Sequence, residues 1–203
     1  MWDELLRRHK DGWLAPLSRA LGAGVAPTTI TIVAAVLGIG CAWAAAVGAT
    51  GASIALWGAN RTLDGLDGTH ARVHGRQSDL GGYLDILLDF VVYAAVPLGL
   101  LAAGGDARLP AAIAWLLATF FVNAASWMYL SAVLERRQAG AASRGELTTV
   151  TMPPGLVAGT ETVVLYTLLL ALPAWRVALV WLMAALVALT VVQRVVWARR
   201  HLG

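Results

Sequence analysis

Long apolar segments set the strongest limit on what this chain can fold into. Residues 28–59 form one run without a charged side chain, and a helix needs only about 20 apolar residues to cross a bilayer. Hydrophobic residues make up 59% of the 203-residue chain, against roughly 45–50% in soluble proteins. Further apolar segments lie at about 80–104, 110–134, 155–173 and 175–197. The sequence therefore predicts an all-α integral membrane protein, a single domain over residues 1–203 with about six transmembrane helices.

Residues 1–22 predict a different kind of helix, one that lies in the membrane interface. Basic and apolar residues are interspersed there, as in amphipathic interfacial helices. The apolar positions are Trp2, Leu5, Leu6, Trp13, Leu14 and Leu17. The segment has neither a long apolar core nor a small-residue cleavage site, so it does not resemble a signal peptide.

Lysine and arginine residues predict the orientation of the spans, because cytoplasmic loops are enriched in both. Those expected on one side are Arg7, Arg8, Lys10, Arg19, Arg76, Arg136, Arg137, Arg144, Arg199 and Arg200, whereas Arg108 and Arg176 fall on the other. We therefore expect a multi-pass protein of a prokaryotic cytoplasmic (inner) membrane, with both termini cytoplasmic. The net charge of +3 fits contact with anionic lipid headgroups and requires no nucleic-acid partner.

Residues 60–94 interrupt the apolar pattern with five aspartates, three arginines and two histidines. Asp64 and Asp67 are three positions apart, and Asp85 and Asp89 are four apart, so each pair shares one face of a helix. An ionised carboxylate at membrane depth costs about 2.5–3.5 kcal/mol or more, and these side chains must therefore face a polar cavity. Grouped carboxylate oxygens suit Mg²⁺ or Mn²⁺, whereas zinc more often recruits Cys or clustered His.

The spacing of this stretch resembles the motif of the CDP-alcohol phosphotransferase family. Asp64-x-x-Asp67-Gly68-x-x-Ala71-Arg72 is followed, after eight residues, by Gly81-x-x-x-Asp85-x-x-x-Asp89, and every motif position is filled. The resemblance covers residues 60–89 directly, and the predicted helical layout is similar to that of the family. It implies a homodimeric membrane enzyme of phospholipid biosynthesis. Such an enzyme moves a phosphatidyl-type group from a CDP-linked lipid, such as CDP-diacylglycerol, to a small alcohol and releases CMP.

The resemblance also implies a metal site. Asp64, Asp67 and Asp85 would hold a pair of Mg²⁺ or Mn²⁺ ions, with Asp89 as a further ligand and as the general base. Two cations about 3.5–4 Å apart can clamp the reacting oxygens, and a positioned carboxylate can remove the proton of an acceptor hydroxyl. Arg61, one helical turn before Asp64, is expected to pair with that carboxylate.

Four further motif positions would bind the donor. Gly68 and Gly81 would leave room for the nucleotide, since a ligand approaches backbone most closely where no side chain intervenes. Ala71 would line the nucleotide pocket, and Arg72 would contact the diphosphate, whose oxygens match a planar guanidinium fork. Close helix packing by the glycines and a snorkelling arginine are the structural alternatives.

The identity of the acceptor stays open. The glycerol 3-phosphate branch of the family carries a Tyr-x-Arg-x-Arg-x-Glu pattern, whereas the matching stretch here, residues 129–135, has Ser131 and Val133 at the arginine positions. Three nearby arginines are candidates for acceptor binding instead: Arg136, Arg137 and Arg144. The leading interpretation is a phosphorylated polyol, either glycerol 3-phosphate or inositol phosphate, with serine or another small alcohol as the alternative.

Several other residues allow more than one interpretation. Glu161 is either a functional intramembrane acid or a helix-end residue that binds an arginine. His70 and His74 are expected in a wet loop near the headgroups, with direct catalysis as the less favoured role. Cys41 is expected to pack within a span. Because intramembrane aspartates also line ion pathways, a cation-coupled transporter is the alternative from another functional class, and a non-catalytic scaffold is a third.

Overall fold

The computed structural model describes residues 2–145, 151 and 155–202, and the side chains from residue 12 onward apart from those of Ala142 and Arg144. Within these residues the chain is helical, and no strand is found. The helices are α1 (Trp2–Leu21), α2 (Pro27–Ala46), α3 (Thr50–Val73), α4 (Asp79–Ala102), α5 (Leu109–Arg136), α6 (Ala141–Arg144), α7 (Gly159–Ala171) and α8 (Arg176–Leu202), with a 3₁₀ turn at Pro173–Trp175. The all-α prediction is confirmed, and the last four predicted apolar segments agree with α4, α5, α7 and α8 to within a few residues.

Four segments of the described chain are long and apolar enough to cross a membrane: Pro27–Ala46, Asp79–Ala102, Leu109–Arg136 and Pro173–Leu202. The 24 residues of α3 are long enough as well, but this helix carries the charged motif. The shorter apolar helix α7 has 13 residues, which span about 20 Å at 1.5 Å per residue. The predicted count of six spans is therefore approximate.

The chain forms two compact units, Met1–Gly105 with α1 to α4 and Asp106–Gly203 with α5 to α8. In the first unit, α2 packs against both α3 and α4, and α1 packs against α3. Small residues allow the close approach of α2 and α4. A Cβ atom added at Gly99 would collide with the backbone carbonyl of Ala42, and one added at Gly38 would collide with the side chain of Val92.

In the described part of α1, from residue 12 onward, one exposed face is apolar. Trp13 is 85% exposed, and Leu17 and Leu21 follow it at four-residue intervals with exposed side chains, so the three lie on one helix face. Ser18 is fully buried on another face. This division fits a helix lying in the membrane interface. The predicted apolar positions Trp2, Leu5 and Leu6 lie outside the described side chains.

A tight turn connects the two helices that carry the charged motif. Gly75 adopts a φ of +60°, a conformation that glycine reaches without steric cost, and the amide of Arg76 donates to the carbonyl of Ala71 over 2.8 Å. Ser78 then starts α4, and its Oγ accepts from the amide of Gly81 at 3.1 Å. Side-chain capping of this kind satisfies amides that have no partner within the helix.

In the second unit, α5 and α7 pack against α8. Buried residues from the three helices form its core: Ala112, Ile113, Leu116, Tyr166, Leu169, Val180, Met183 and Val187. The segment before α7 is attached to α8 by side chains. The amide of Val157 donates to Thr190 Oγ1 at 2.9 Å, and the amide of Leu156 donates to Gln193 Oε1 at 3.0 Å.

Candidate functional site

The two halves of the aspartate motif lie on two helices of the first unit, joined by the turn at residues 74–78. Asp64 and Asp67 belong to α3, and Asp85 and Asp89 belong to α4. Asp67 is buried and the other three are half-buried. Because α2 packs against both helices, it holds α3 and α4 in one assembly.

The side chain of Arg61 joins the two halves of the motif. Its Nη2 donates to Oδ1 of Asp89 in α4 at 2.8 Å, and its Nη1 lies 3.6 Å from Oδ2 of Asp64 in α3. The Arg61 side chain is 10% exposed. The sequence predicts the Asp64 pairing, but the structure adds the shorter contact to Asp89. One largely enclosed cation therefore bridges the two acidic helices.

Further groups fix the Arg61 guanidinium. Nη1 donates to Tyr93 Oη at 2.9 Å and Nε donates to Asn60 Oδ1 at 2.6 Å. The guanidinium carbon lies 4.8 Å from the ring centroid of Trp57 and 5.2 Å from that of Tyr93, which places it in the range of cation–π attraction. Asn60 in turn donates from Nδ2 to the carbonyl of Ala34 at 2.7 Å. The network therefore connects α2, α3 and α4.

The donor chemistry of the motif fits a hard divalent cation. Mg²⁺ and Mn²⁺ prefer carboxylate oxygens, and Asp64 and Asp89 already meet at one positive charge. In the residues described, no three acidic, histidine or cysteine side chains are gathered closely enough to hold a metal ion. The charge that bridges the acidic helices in this structure is the guanidinium of Arg61.

The predicted donor-binding residues lie along the same two helices. Arg72 folds back over its own helix, with Nη2 3.4 Å from Thr69 Oγ1, and a Cβ added at Gly68 would lie 3.3 Å from its Nη1. A Cβ added at Gly81 would lie 3.1 Å from Ser78 Oγ. Glycine at 68 therefore lets Arg72 lie against α3. Ala71, one position before Arg72, is half-buried.

His70 does not lie in a wet loop, so that prediction is wrong. It is a fully buried residue of α3, with Nε2 3.1 Å from the carbonyl of Val25 and Nδ1 3.0 Å from Ser18 Oγ. A carbonyl only accepts, so Nε2 carries the proton of the hydrogen bond to Val25. Helix packing buries this face of α3 against α1, and His70 attaches α1 and the following turn to the motif helix.

His74 and Arg76 extend the same attachment. His74 Nε2 lies 3.3 Å from the carbonyl of Ser18, and Arg76 Nη1 donates to the carbonyls of Ala23 and Val25 at 2.8 and 3.1 Å. The His74 ring lies 4.5 Å from that of His70 between centroids. These contacts give the histidines a packing role around the α1–α2 turn.

The stretch that would bind a phosphorylated acceptor in the glycerol 3-phosphate branch is used differently here. Ser131, at the first arginine position of the pattern, is fully buried and donates to the carbonyl of Thr151 at 2.5 Å. Glu135 accepts from the amide of Ala141 at 2.8 Å. Both residues therefore stabilise the chain that follows α5, which explains why Ser131 is short and uncharged.

The three arginines proposed for the acceptor lie after this stretch in the second unit. Arg136 and Arg137 are exposed, and Arg137 Nη2 donates to the carbonyl of Leu202 at 3.2 Å. Arg144 ends α6, but its side chain lies outside the described part of the chain. Glu161 is exposed in the first turn of α7 and accepts from the amide of Ala158 at 3.0 Å. It is therefore a helix-end residue whose partner is backbone.

Sequence reasoning missed Arg194. It lies within α8, is 5% exposed, and donates from Nη1 to Asn123 Oδ1 at 2.8 Å. Its Nε is buried and has no hydrogen-bond partner among the described residues. The sequence does carry a signal for Arg194, because an ionisable residue within a membrane helix is a functional candidate by default. Arg194 lies near the end of the predicted segment 175–197, which is interpreted above only as a transmembrane span.

Comparisons with known proteins agree with the motif. The family model for CDP-alcohol phosphatidyltransferase matches residues 24–195. The inner membrane protein YnjF of Escherichia coli strain K12 is 34% identical over 172 residues, which cover 85% of this chain and 82% of that protein.

Solved structures of Mycobacterium tuberculosis phosphatidylinositol phosphate synthase, PgsA1, share the fold. The one with CDP-DAG bound has a TM-score of 0.70 at 24% identity and covers 90% of this chain and 91% of that one. The one with manganese and citrate also has a TM-score of 0.70 at 24% identity, over 91% and 88%. The family match over residues 24–195 confirms the resemblance: the chain belongs to the CDP-alcohol phosphatidyltransferase family.

Proposed function

We propose that this protein transfers a phosphatidyl-type group from a CDP-linked lipid to a small alcohol, with release of CMP, in phospholipid biosynthesis. One observation carries the proposal: Asp64 and Asp89, from two different helices, meet at a single cation within a stretch that fills every position of the family motif. The family match over residues 24–195 includes parts of both units, which supports one functional domain with residues 60–89 as its catalytic motif.

The residues that would hold Mg²⁺ or Mn²⁺ are Asp64, Asp67, Asp85 and Asp89. Divalent ions bound there would neutralise the diphosphate of the donor as CMP departs. The manganese complex of the structurally similar PgsA1 and the all-oxygen donor set support this assignment. We propose two ions by resemblance to the family.

Side chains and glycine positions of the motif would bind the donor and remove the proton of the acceptor hydroxyl. Gly68, Ala71 and Gly81 would line the nucleotide site, and Arg72 would contact the diphosphate with its planar fork. Asp89 would take the proton of the acceptor hydroxyl. The acceptor oxygen then forms a bond to the lipid-linked phosphorus, the bond from that phosphorus to the bridging oxygen breaks, and CMP leaves with that oxygen.

For the acceptor we propose a phosphorylated polyol. PgsA1, which shares the fold, is a phosphatidylinositol phosphate synthase by its description. Arg136 and Arg137 offer positive charge. Serine or another small alcohol is the alternative, because Ser131 and Val133 replace the arginines of the glycerol 3-phosphate pattern.

The setting of the reaction is proposed from the same evidence. The description of YnjF as an inner membrane protein and the apolar segments of this chain support a multi-pass protein of the inner membrane. The distribution of lysine and arginine supports cytoplasmic termini, with residues 1–22 in the membrane interface. The family resemblance supports a homodimer.

The test is CMP release from CDP-diacylglycerol by purified protein with Mg²⁺ or Mn²⁺. Glycerol 3-phosphate, inositol phosphate, inositol and serine are supplied one at a time. We expect CMP release that requires one acceptor and stops on chelation of the metal. Donor binding without release from any acceptor would reject the acceptors tried, and an absence of both binding and release would favour the transporter alternative.

A further inference from the structure

We propose that Arg61 is a positioning residue for phosphatidyl transfer. It holds the carboxylate of Asp89 by Oδ1 and so fixes the orientation in which this carboxylate meets the acceptor hydroxyl. The inference rests on the proposed function, in which Asp89 is the general base. It adds a residue outside the eight motif positions to the machinery of the reaction.

The guanidinium has little freedom to move. Its three nitrogens donate to three different side chains: Nε to Asn60, Nη1 to Tyr93 and Nη2 to Asp89, at 2.6, 2.9 and 2.8 Å. Asn60 is itself fixed by its bond to the backbone of α2. Because each donor atom has its own acceptor, rotation of Arg61 about its terminal bonds would break at least one of these hydrogen bonds.

Arg61 also holds the acidic face of α4 at two points. Tyr93 lies four residues after Asp89, so the two side chains share one face of the helix. A single guanidinium that contacts both therefore resists rotation of that face. Fixed geometry of this kind matters for proton transfer, since a displacement of about 1 Å in a catalytic group can lower a rate about 10²-fold.

Stability alone is a poor explanation for this cluster. Burying an ion pair costs desolvation energy, and apolar residues of similar size are often equally or more stabilising. A fully hydrogen-bonded polar network instead selects one arrangement of its members. Lysine could not replace Arg61, because the three N–H donors of an ammonium radiate from one nitrogen, whereas Asn60, Tyr93 and Asp89 are reached by three separate nitrogens of the guanidinium.

The experiment compares Arg61→Lys and Arg61→Ala with the parent protein, and Arg108→Lys serves as the matched control. Arg108 is exposed and pairs with Asp106, outside the motif. For each purified protein, kcat and the acceptor KM are obtained from CMP release. The Kd for CDP-diacylglycerol and the Tm in the same detergent are measured alongside. Arg61→Ala is also assayed with added guanidinium chloride and, separately, ammonium chloride at equal non-denaturing concentration.

For Arg61→Lys we expect kcat to fall about 10- to 100-fold, with the donor Kd and acceptor KM within about threefold of the parent values. Guanidinium, but not ammonium, should restore about tenfold or more of the kcat lost in Arg61→Ala, because only the planar ion can bridge Asp89 and Tyr93. Arg108→Lys should match the parent protein.

Two results would overturn the inference. One is an Arg61→Lys protein whose kcat per folded molecule equals that of the parent. The other is a loss that follows the fall in Tm and is not rescued by guanidinium. If the parent protein releases no CMP with any acceptor, both the proposed function and this inference are rejected. If the parent protein turns over and the Arg61 variants have the same kcat, only the role of Arg61 is rejected.

Discussion

Asp89 in α4 accepts a hydrogen bond from Arg61 in α3 over 2.8 Å, although 28 positions separate them in the sequence. The Asp89 side chain remains 27% exposed, so the Arg61 guanidinium holds it while part of it can still reach a substrate. The candidate base is therefore anchored and accessible at once. This relationship distinguishes Asp89 from Asp67, which is buried within α3.

Asp89→Asn and Asp67→Asn should impair different properties of the enzyme, the first its turnover and the second its binding of metal and donor. Asparagine at 89 cannot accept the proton of the hydroxyl, so kcat should fall by about 10²- to 10⁴-fold while CDP-lipid binding stays measurable. Asparagine at 67 should weaken Mn²⁺ binding and donor binding together, because the charge that holds the metal is reduced. Steady-state kinetics with titration of Mn²⁺ and CDP-lipid separates the two patterns. Full activity in Asp89→Asn would remove it from the role of base.

Gly99→Ala should destabilise the first unit by about 1–3 kcal/mol or more, the usual cost of overpacking. The added methyl collides with the backbone carbonyl of Ala42, and backbone cannot move aside as a flexible side chain can. Gly58→Ala is the control, since nothing lies within 4 Å of its added Cβ. Thermal unfolding in one detergent compares them. Equal Tm values for the two variants would show that α2 and α4 do not pack as described.

His70→Ala should lower the stability of the fold but leave the rate of the chemical step almost unchanged. It leaves the Ser18 hydroxyl without its imidazole partner and opens a cavity between α1 and α3, for a loss of about 2–4 kcal/mol. The measurement pairs Tm with kcat per folded molecule, and kcat should stay within about threefold of the parent value. A large fall in kcat with an unchanged Tm would instead assign His70 to catalysis.

Arg194→Gln should destabilise the second unit by about 1.5–3 kcal/mol, because the charged hydrogen bond that Arg194 donates to Asn123 is lost. Glutamine keeps a donor and much of the side-chain volume. Arg200→Gln, at an exposed position of α8, is the control. The measurement is the Tm in one detergent, and equal Tm values for the two variants would show that the Arg194–Asn123 contact does not stabilise this unit.

Most of the fold could be predicted because membrane helices depend on local composition. The apolar segments at 80–104 and 110–134 correspond to α4 and α5, since length and hydrophobicity alone determine a span. The number of spans was harder, because α3 combines a full helical length with the charged motif. The 13 residues of α7 are likewise too few to settle the count by composition.

The candidate site was predictable only where spacing carries the information. The four aspartates follow from their intervals of three and four residues, which place them on helix faces. The Arg61–Asp89 contact depends on how α3 and α4 are held by α2, and the burial of His70 depends on where α1 docks. Arg194 gave a signal by its charge alone, but its pairing with Asn123 joins positions that no local pattern connects.

The most direct test of the central claim measures CMP and the new lipid together, from CDP-diacylglycerol and a labelled acceptor, in the parent protein and in Asp89→Asn. The account predicts equal amounts of CMP and labelled lipid from the parent and dependence on Mg²⁺ or Mn²⁺. It predicts at least about 10²-fold slower formation of both products by Asp89→Asn, despite retained donor binding. CMP without labelled lipid would indicate hydrolysis rather than transfer. Equal production of both by Asp89→Asn would contradict the account of the site.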